Sequence, residues 1–306
     1  MAENASKVTV IMPVFNREHL VRAAIESVLQ QTLPPSQFIV VNDGSSDGTA
    51  DVLASFLPRI TLLHQENKGP YPARNLALKH VQGDYVAFLD SDDVWVPDKI
   101  EKQVSVLDEN PEVGLVFSDG ELLRDGPAKP NQPKSFFEVE PPSRGAVFEA
   151  LLHTNFIPQS SVLLRKSCLD EAGPFFEIPL AADYHKWLQI SLRHRFEYID
   201  EMLIRYRVHE GNISRDRTKK YRALNDLFKD LLTRTNDESV LKILKRRLIR
   251  SEYELALAEM DDALRLTIRG LQGRDKAVGR LERLRCLAEV TWRKTRSFAG
   301  LRSFLL

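Results

Sequence analysis

Asp84-Tyr85-Val86-Ala87-Phe88-Leu89-Asp90-Ser91-Asp92-Asp93 sets the reading of the whole chain. Asp84–Leu89 has the pattern of a short strand, and three carboxylates in four residues come directly after the apolar run Val86–Leu89. Carboxylates this close repel one another unless positive charge lies among them. A divalent cation supplies it: hard oxygen ligands suit Mg²⁺ or Mn²⁺, and such a metal commonly bridges protein carboxylates to a diphosphate. The same residues also suit a turn or the cap of the next helix, and both readings stand at this point.

Outward from this strand the text alternates between two periods. Before it come strand patterns at Lys7–Met12, Phe38–Val41 and Ile60–His64, and helix patterns at Arg17–Gln31, Thr49–Leu57 and Pro72–Val81. Val21, Ala24, Ile25, Val28 and Leu29 make the apolar stripe of a helix lying on a sheet. After it, Pro97 opens a helix over Asp98–Glu109, and Leu115–Ser118 is another strand. Short strands alternating with helices predict an α/β fold, a mostly parallel sheet flanked by helices. Ligands of such sheets bind outside the carboxyl ends of the strands. Three polar clusters sit there: Pro13-Val14-Phe15-Asn16, Asn42-Asp43-Gly44-Ser45-Ser46-Asp47-Gly48-Thr49, and Asp90-Ser91-Asp92-Asp93.

The segment Arg124–Pro142 holds five prolines and reads as a long loop of the kind that forms lids or binding loops. Helices are expected over Gly145–His153 and Ala182–Arg193, and strands over Ser161–Arg165, Phe196–Ile199 and Met202–Tyr206. From Lys219 onward the text is helical, with breaks expected at Gly270, Gly273 and Gly279.

Asp43 comes after Val40-Val41 and can accept a hydrogen bond from a base N–H; an Asx-turn is the alternative, and it is the preferred reading for Asp47. Arg74 stands at the start of a helix, where it faces a base or phosphate, or solvent.

In order and spacing, these clusters resemble the inverting, nucleotide-sugar-dependent glycosyltransferases of family two, which have the GT-A fold. The resemblance spans about residues 7–215 and adds Asn67-Lys68-Gly69, Ala73-Arg74-Asn75, and Trp95, Pro97 and Lys99 after the acidic cluster. It implies a catalytic domain over 1–218, with a donor half to about 120 and an acceptor half over about 144–218. It implies a nucleobase floor, usually for uracil, around Pro13, Val14, Phe15 and Asn16 with Asp43. Asn67, Gly69, Arg74, Ser91, Trp187 and Arg207 join as substrate contacts. Asp92 and Asp90 become the metal and ribose carboxylates, with His209 completing the metal sphere and Asp93 either contributing or capping a helix. A bound Mn²⁺ or Mg²⁺ would stabilise the departing nucleoside diphosphate. Ala182-Asp183-Tyr184-His185-Lys186-Trp187-Leu188 resembles the segment whose Asp deprotonates the acceptor hydroxyl, which implies Asp183 as general base. Many members carry Glu where this chain has Ala182, so one carboxylate of that segment is missing. His185 is expected on the surface or in the acceptor groove. Asn155–Ser161 resembles a segment beside the acceptor.

The implied reaction moves a sugar, UDP-linked, to a carbohydrate or lipid-linked glycan acceptor, in bacterial surface polysaccharide or glycoconjugate synthesis. The alternatives are a polyprenyl-phosphate sugar synthase, a nucleotide-sugar-binding protein without turnover, and a membrane-surface interaction protein.

The 306 residues hold 43 basic and 43 acidic side chains, but unevenly. Residues 1–218 carry 22 basic and 31 acidic, a net of −9; residues 219–306 carry 21 and 12, a net of +9. At 43% hydrophobic and 28% charged, collagenous, low-complexity and globally disordered classes are excluded. The basic extension 219–306 suits either an anionic membrane surface or a helical bundle docked on the catalytic domain. No nucleic-acid motif accompanies its charge, so no nucleic-acid partner is expected. Two cysteines, Cys168 and Cys286, make no disulfide framework, and neither a secretory signal nor a spanning segment is read. A cytoplasmic location, peripheral on the inner face of the membrane, is the expectation.

Overall fold

The structure is a computed structural model that describes residues 6–124, 132–176, 180–208 and 216–272. Its strands are β1 (Ser6–Val14), β2 (Pro35–Asp43), β3 (Thr61–Gln65), β4 (Tyr85–Phe88), β5 (Val94–Trp95), β6 (Val113–Arg124), β7 (Leu163–Arg165) and β8 (Arg195–Val208). Its helices are α1 (Val21–Leu29), α2 (Thr49–Ala54), α3 (Pro70–Leu78), α4 (Lys99–Glu109), α5 (Phe136–Val139), α6 (Phe148–His153), α7 (Lys166–Ala172), α8 (Ala182–Ser191), α9 (Arg217–Arg234) and α10 (Glu238–Gln272). The strands form one sheet in the order β3-β2-β1-β4-β7-β6-β8-β5. β1 to β4 pair in parallel, as do β6 and β8, while β7 runs antiparallel between β4 and β6 and β5 antiparallel along β8.

Alternate residues of β1 enter two cores, because successive side chains of a strand point to opposite faces. Val8, Val10 and Met12 pack with Val21, Ile25 and Val28 of α1 and Ile100 of α4. Ile11 faces the other way, with Ala73 and Ala77 of α3, Leu151 of α6, Trp187 of α8 and Phe228 of α9. Burial on both faces explains why the strands read as apolar runs.

Gly83 shows how closely the chain is packed before β4. A Cβ there would meet the Lys7 carbonyl oxygen at 2.3 Å and the Thr9 nitrogen at 2.9 Å. The Gly83 N–H also donates to the fully buried Thr9 hydroxyl at 3.1 Å. Gly83→Ala must push backbone from backbone, so a loss of about 1–3 kcal/mol in urea unfolding is expected.

Several elements differ from the sequence reading. Phe196–Ile199 and Met202–Tyr206 lie in one strand, β8, whose pairing with β6 shifts register between Ile199 and Met202. The proline-rich segment is not all loop. Ser135 caps α5, and Phe137 is buried against Phe117 and Tyr198. Gln159–Ser161 is a 3-10 turn ahead of β7, and α7 comes at once after that strand. Among the described residues the break between α9 and α10 comes at a cap, and no break falls at Gly270. Asp237 Oδ1 accepts from the Ser239 and Val240 N–H groups at 2.8 and 3.1 Å, whereas Gly270 lies within α10. Gly273, Gly279 and the later basic residues lie outside the described residues.

α9 and α10 are docked on the α/β body: Ala223, Leu227, Phe228, Leu231 and Leu244 share a core with Leu151 and Trp187. No helix among the described residues is long and apolar enough to cross a membrane.

Candidate active site

The carboxyl ends of β1, β2 and β4 open on a cleft of about 1120 Å³. Pro13, Val14, Phe15, Asp43, Asn67, Gly69, Arg74, Asp90, Ser91, Asp92 and Asp183 all line it. The acidic clusters at the strand ends therefore converge, because parallel strands deliver their ends to one rim.

Asp43 is nearly saturated. Its Oδ1 accepts from Gln65 Nε2 at 2.6 Å and the Lys68 N–H at 2.9 Å, and its Oδ2 accepts from the Gly69 N–H at 2.9 Å. A carboxylate offers about four acceptor sites, so about one remains for a ligand N–H. Gly69, at φ 95°, turns the chain into α3 while presenting that N–H.

α3 carries Tyr71 and Arg74 into the cleft. The Arg74 side chain is 3% exposed and pairs with Asp90, whose carboxylate is 36% exposed toward the cleft. Asp92 pairs with Arg17 at 3.5 Å. Asp93 is buried, accepts a hydrogen bond from the Ser160 hydroxyl at 2.5 Å and another from the Arg207 N–H at 2.9 Å. Ser160 in turn accepts the Asp90 N–H at 3.0 Å, and its carbonyl accepts the Trp95 indole N–H at 2.8 Å. The Asn155–Ser161 segment thus holds the acidic loop in place from below. Burial, then repulsion from Asp90 and Asp92, holds the Asp93 carboxyl well above the usual carboxylate range. Burial also pushes Asp90 up, with Arg74 pulling it back and Asp92 and Asp183 adding repulsion.

These residues fit a divalent cation by charge and by donor type. Asp90 and Asp92 offer hard oxygens, and the lining carboxylates Asp90, Asp92 and Asp183 outnumber Arg17 and Arg74. Among the described residues no three His, Cys, Asp or Glu side chains converge as a metal-binding group. His209 lies outside the described residues.

Asp183 sits in the first turn of α8, facing this loop. Its Oδ1 accepts the Tyr71 hydroxyl at 3.2 Å. Burial raises its carboxyl above the usual range, against the Tyr184 N–H, Arg74 and Tyr71, which lower it. The other cleft carboxylates are committed. Asp43 holds three donors, Asp90 and Asp92 face arginines, Glu254 pairs with Arg217 at 3.1 Å, and Glu140 accepts the Thr154 hydroxyl at 2.8 Å. Asp183 and Glu140 form no ion pair among the described residues, and of the two it is Asp183 that lies close enough to Asp90 to repel it.

Three expected contacts lie off the cleft lining. Trp187 is fully buried against Phe88, at 6.4 Å between ring centroids, because α8 turns that side into the core. Asn16, at φ 50°, ties the end of β1 to the next turn: its N–H donates to Ser45 Oγ and its Oδ1 accepts the Ser46 N–H. Arg207 braces the acidic loop, its Nε donating to the Asp92 carbonyl at 3.2 Å. His185 is neither on the surface nor in the groove. It is fully buried, with Nε2 3.0 Å from Asp230 of α9.

Sequence reasoning missed Arg17, Tyr71, Lys220, Arg247 and Arg250, which also line the cleft. Arg17 comes directly after one recognised motif and Tyr71 two residues after another, a usable signal. The other three belong to the basic extension, whose charge gives no hint of which side faces a cleft.

The family profile described as Glycosyl transferase family 2 matches residues 9–172. The chain is 32% identical over 230 residues to the UDP-Glc:alpha-D-GlcNAc-diphosphoundecaprenol beta-1,3-glucosyltransferase WfgD of Escherichia coli, covering 74% of this chain and 86% of that protein. Among solved structures it is similar to S. aureus TarS 1-349 in complex with UDP-GlcNAc, with a TM-score of 0.61 at 20% identity, over 81% of this chain and 72% of that one. It is also similar to the mannosyltransferase PcManGT from Pyrobaculum calidifontis in complex with GDP-Man and Mn²⁺, with a TM-score of 0.61 at 21% identity, over 98% of this chain and 85% of that one. The shared fold is GT-A.

Proposed function

The chain belongs to glycosyltransferase family 2, and on that premise we propose that it transfers a sugar from a UDP-linked donor to an acceptor hydroxyl with inversion at the anomeric carbon. The observation that carries this reading is that Asp43, Asp90 and Asp92 line one cleft with Asp183, a carboxylate held by a tyrosine hydroxyl and not by an arginine. The base would rest near Pro13–Phe15, with Asp43 taking its N–H. Asp92 and Asp90 would hold a divalent cation, which when bound neutralises the diphosphate as a Lewis acid. Arg17 and Arg74 keep the two carboxylates apart and oriented.

On the acceptor side, Asp183 takes the hydroxyl proton as the oxygen attacks the anomeric carbon. The bond from that carbon to the diphosphate breaks, and its electron pair leaves on the phosphate oxygen. One base on the face opposite the leaving group suffices for inversion. Tyr71, donating to Asp183, orients the carboxylate. The acceptor is a lipid-linked glycan, as the name of the E. coli relative describes for that protein. Such an acceptor places the enzyme in the cytoplasm at the inner membrane face, in surface polysaccharide or glycoconjugate synthesis.

Donor binding is checked by thermal shift. UDP at a hundredfold its Kd should add about 2.7 kcal/mol of apparent stability. The gain should need Mn²⁺ or Mg²⁺, and Asp92→Ala should remove its metal-dependent part. Equal stabilisation with and without metal would overturn the assignment of Asp92.

A further inference from the structure

The family profile ends at residue 172, yet the wall of the cleft beyond Tyr184 is built by α9 and α10. Lys220, Arg247 and Arg250 line it from these two helices. The other basic residues of α9 are paired, Arg217 with Glu254 and Asp261, Arg222 with Glu259 and Arg234 with Asp230, whereas Lys242, Lys245 and Arg246 of α10 are exposed off the cleft lining. Among the described residues, Lys220, Arg247 and Arg250 have no carboxylate within the 4.0 Å of an ion pair. Arg247 is held in place without its charge being met. Its guanidinium lies 5.4 Å from the Phe228 ring centroid and beside the Tyr184 hydroxyl, and its Nε is buried with no hydrogen-bond partner. A buried guanidinium N–H without an acceptor is costly, and a ligand oxygen removes that cost.

We propose that Lys220, Arg247 and Arg250 form an anion subsite for a phosphate or diphosphate group carried by the acceptor. The inference rests on the transferase reading above and names what its acceptor must contain. The donor diphosphate does not account for these cations. The donor end is defined by Asp43, Asp90 and Asp92 on strand ends, whereas these three come from helices beyond Asp183 and Tyr184. The lining of this cleft also includes Phe136, Val139 and Leu224, and Val139 is exposed, so an apolar chain attached to the anion finds a surface here. Guanidinium groups suit phosphate oxygens through paired N–H donors.

The test is isothermal titration of the full chain, its donor site saturated with UDP and Mn²⁺, with hexyl diphosphate and with hexyl glucoside as the uncharged control. Wild type should bind the diphosphate and discriminate against the glucoside. Arg247→Gln with Arg250→Gln should weaken diphosphate binding at least about tenfold, the scale of losing charged hydrogen bonds. Arg250→Gln alone, at an exposed position that folding does not depend on, should weaken it in the same direction. Lys242→Gln with Arg246→Gln, exposed on the same helix but off the cleft lining, should leave it unchanged. Failure of the UDP-loaded protein to bind hexyl diphosphate, or equal weakening by the Lys242 and Arg246 pair, overturns the subsite. A second arm sediments the protein with phosphatidylglycerol vesicles. If retention on vesicles depends on Arg247 and Arg250 while hexyl diphosphate binding does not, the cations meet a lipid headgroup and the acceptor assignment is wrong. A protein that is not stabilised by UDP would instead remove the donor reading, which is a separate result.

Discussion

Asp183→Asn should lower kcat by about 10²–10⁴, the contribution of a positioned general base, with UDP affinity unchanged. The carboxylate has no ion-pair partner among the described residues, and asparagine keeps its shape and the Tyr71 contact while losing the proton acceptor. Two further readouts separate loss of the base from loss of structure. In wild type, burial holds the Asp183 carboxyl above its ordinary value of 3.8, so the acid limb of kcat/KM should lie above the usual aspartate range. Stability depends on the same shift. Between 3.8 and the raised folded value, the folded state keeps a proton that the unfolded state releases. Stability therefore falls as pH rises through that window, and the cost is complete above it. Asp183→Asn removes this cost, so its Tm should equal or exceed that of wild type at neutral pH, and the difference should close in acid. Full turnover by Asp183→Asn would instead favour an acceptor phosphate, which needs no base, as in a polyprenyl-phosphate sugar synthase.

Trp187→Ala should cost about 3–5 kcal/mol in urea unfolding, the range for removing a large buried aromatic side chain. Trp187 is fully buried, and its ring packs on Phe88, directly behind the acidic loop. Its indole N–H has no hydrogen-bond partner, so Trp187→Phe keeps most of the packing, removes the orphan donor and should cost clearly less. Any activity lost by the alanine variant should track its unfolded fraction. A raised acceptor KM at unchanged stability would return Trp187 to the substrate site.

The fold and the strand-end rim of the cleft were legible for one reason. Strands buried on both faces read as apolar runs, and the residues just after each run lie on one rim. Pro13, Asp43 and Asp90 can be placed together without knowing a single distance. α8 was not legible in the same way. Tyr184, His185, Lys186, Trp187, Leu188 and Ile190 are all buried, so no stripe distinguishes a core face from a cleft face. Lys186 illustrates the difficulty. Its ammonium donates to the carbonyls of Ala172, Gly173 and Pro174 at 3.0, 2.9 and 2.8 Å, capping α7 from within the protein.

The division of charge into −9 and +9 was correct as arithmetic and incomplete as a division of labour. The sequence by itself determined the α/β order of elements, the acidic rim and the candidate base at Asp183. Tertiary structure alone decided which carboxylates are committed to arginines, that Trp187 and His185 face inward, and that Lys220, Arg247 and Arg250 line the same cleft as the acidic rim. The physical reason is range. Strand and helix periods are written in neighbouring residues, but pairing across a cleft joins positions as distant as Tyr71 and Asp183, or Asp183 and Arg250, and depends on how helices dock on a sheet.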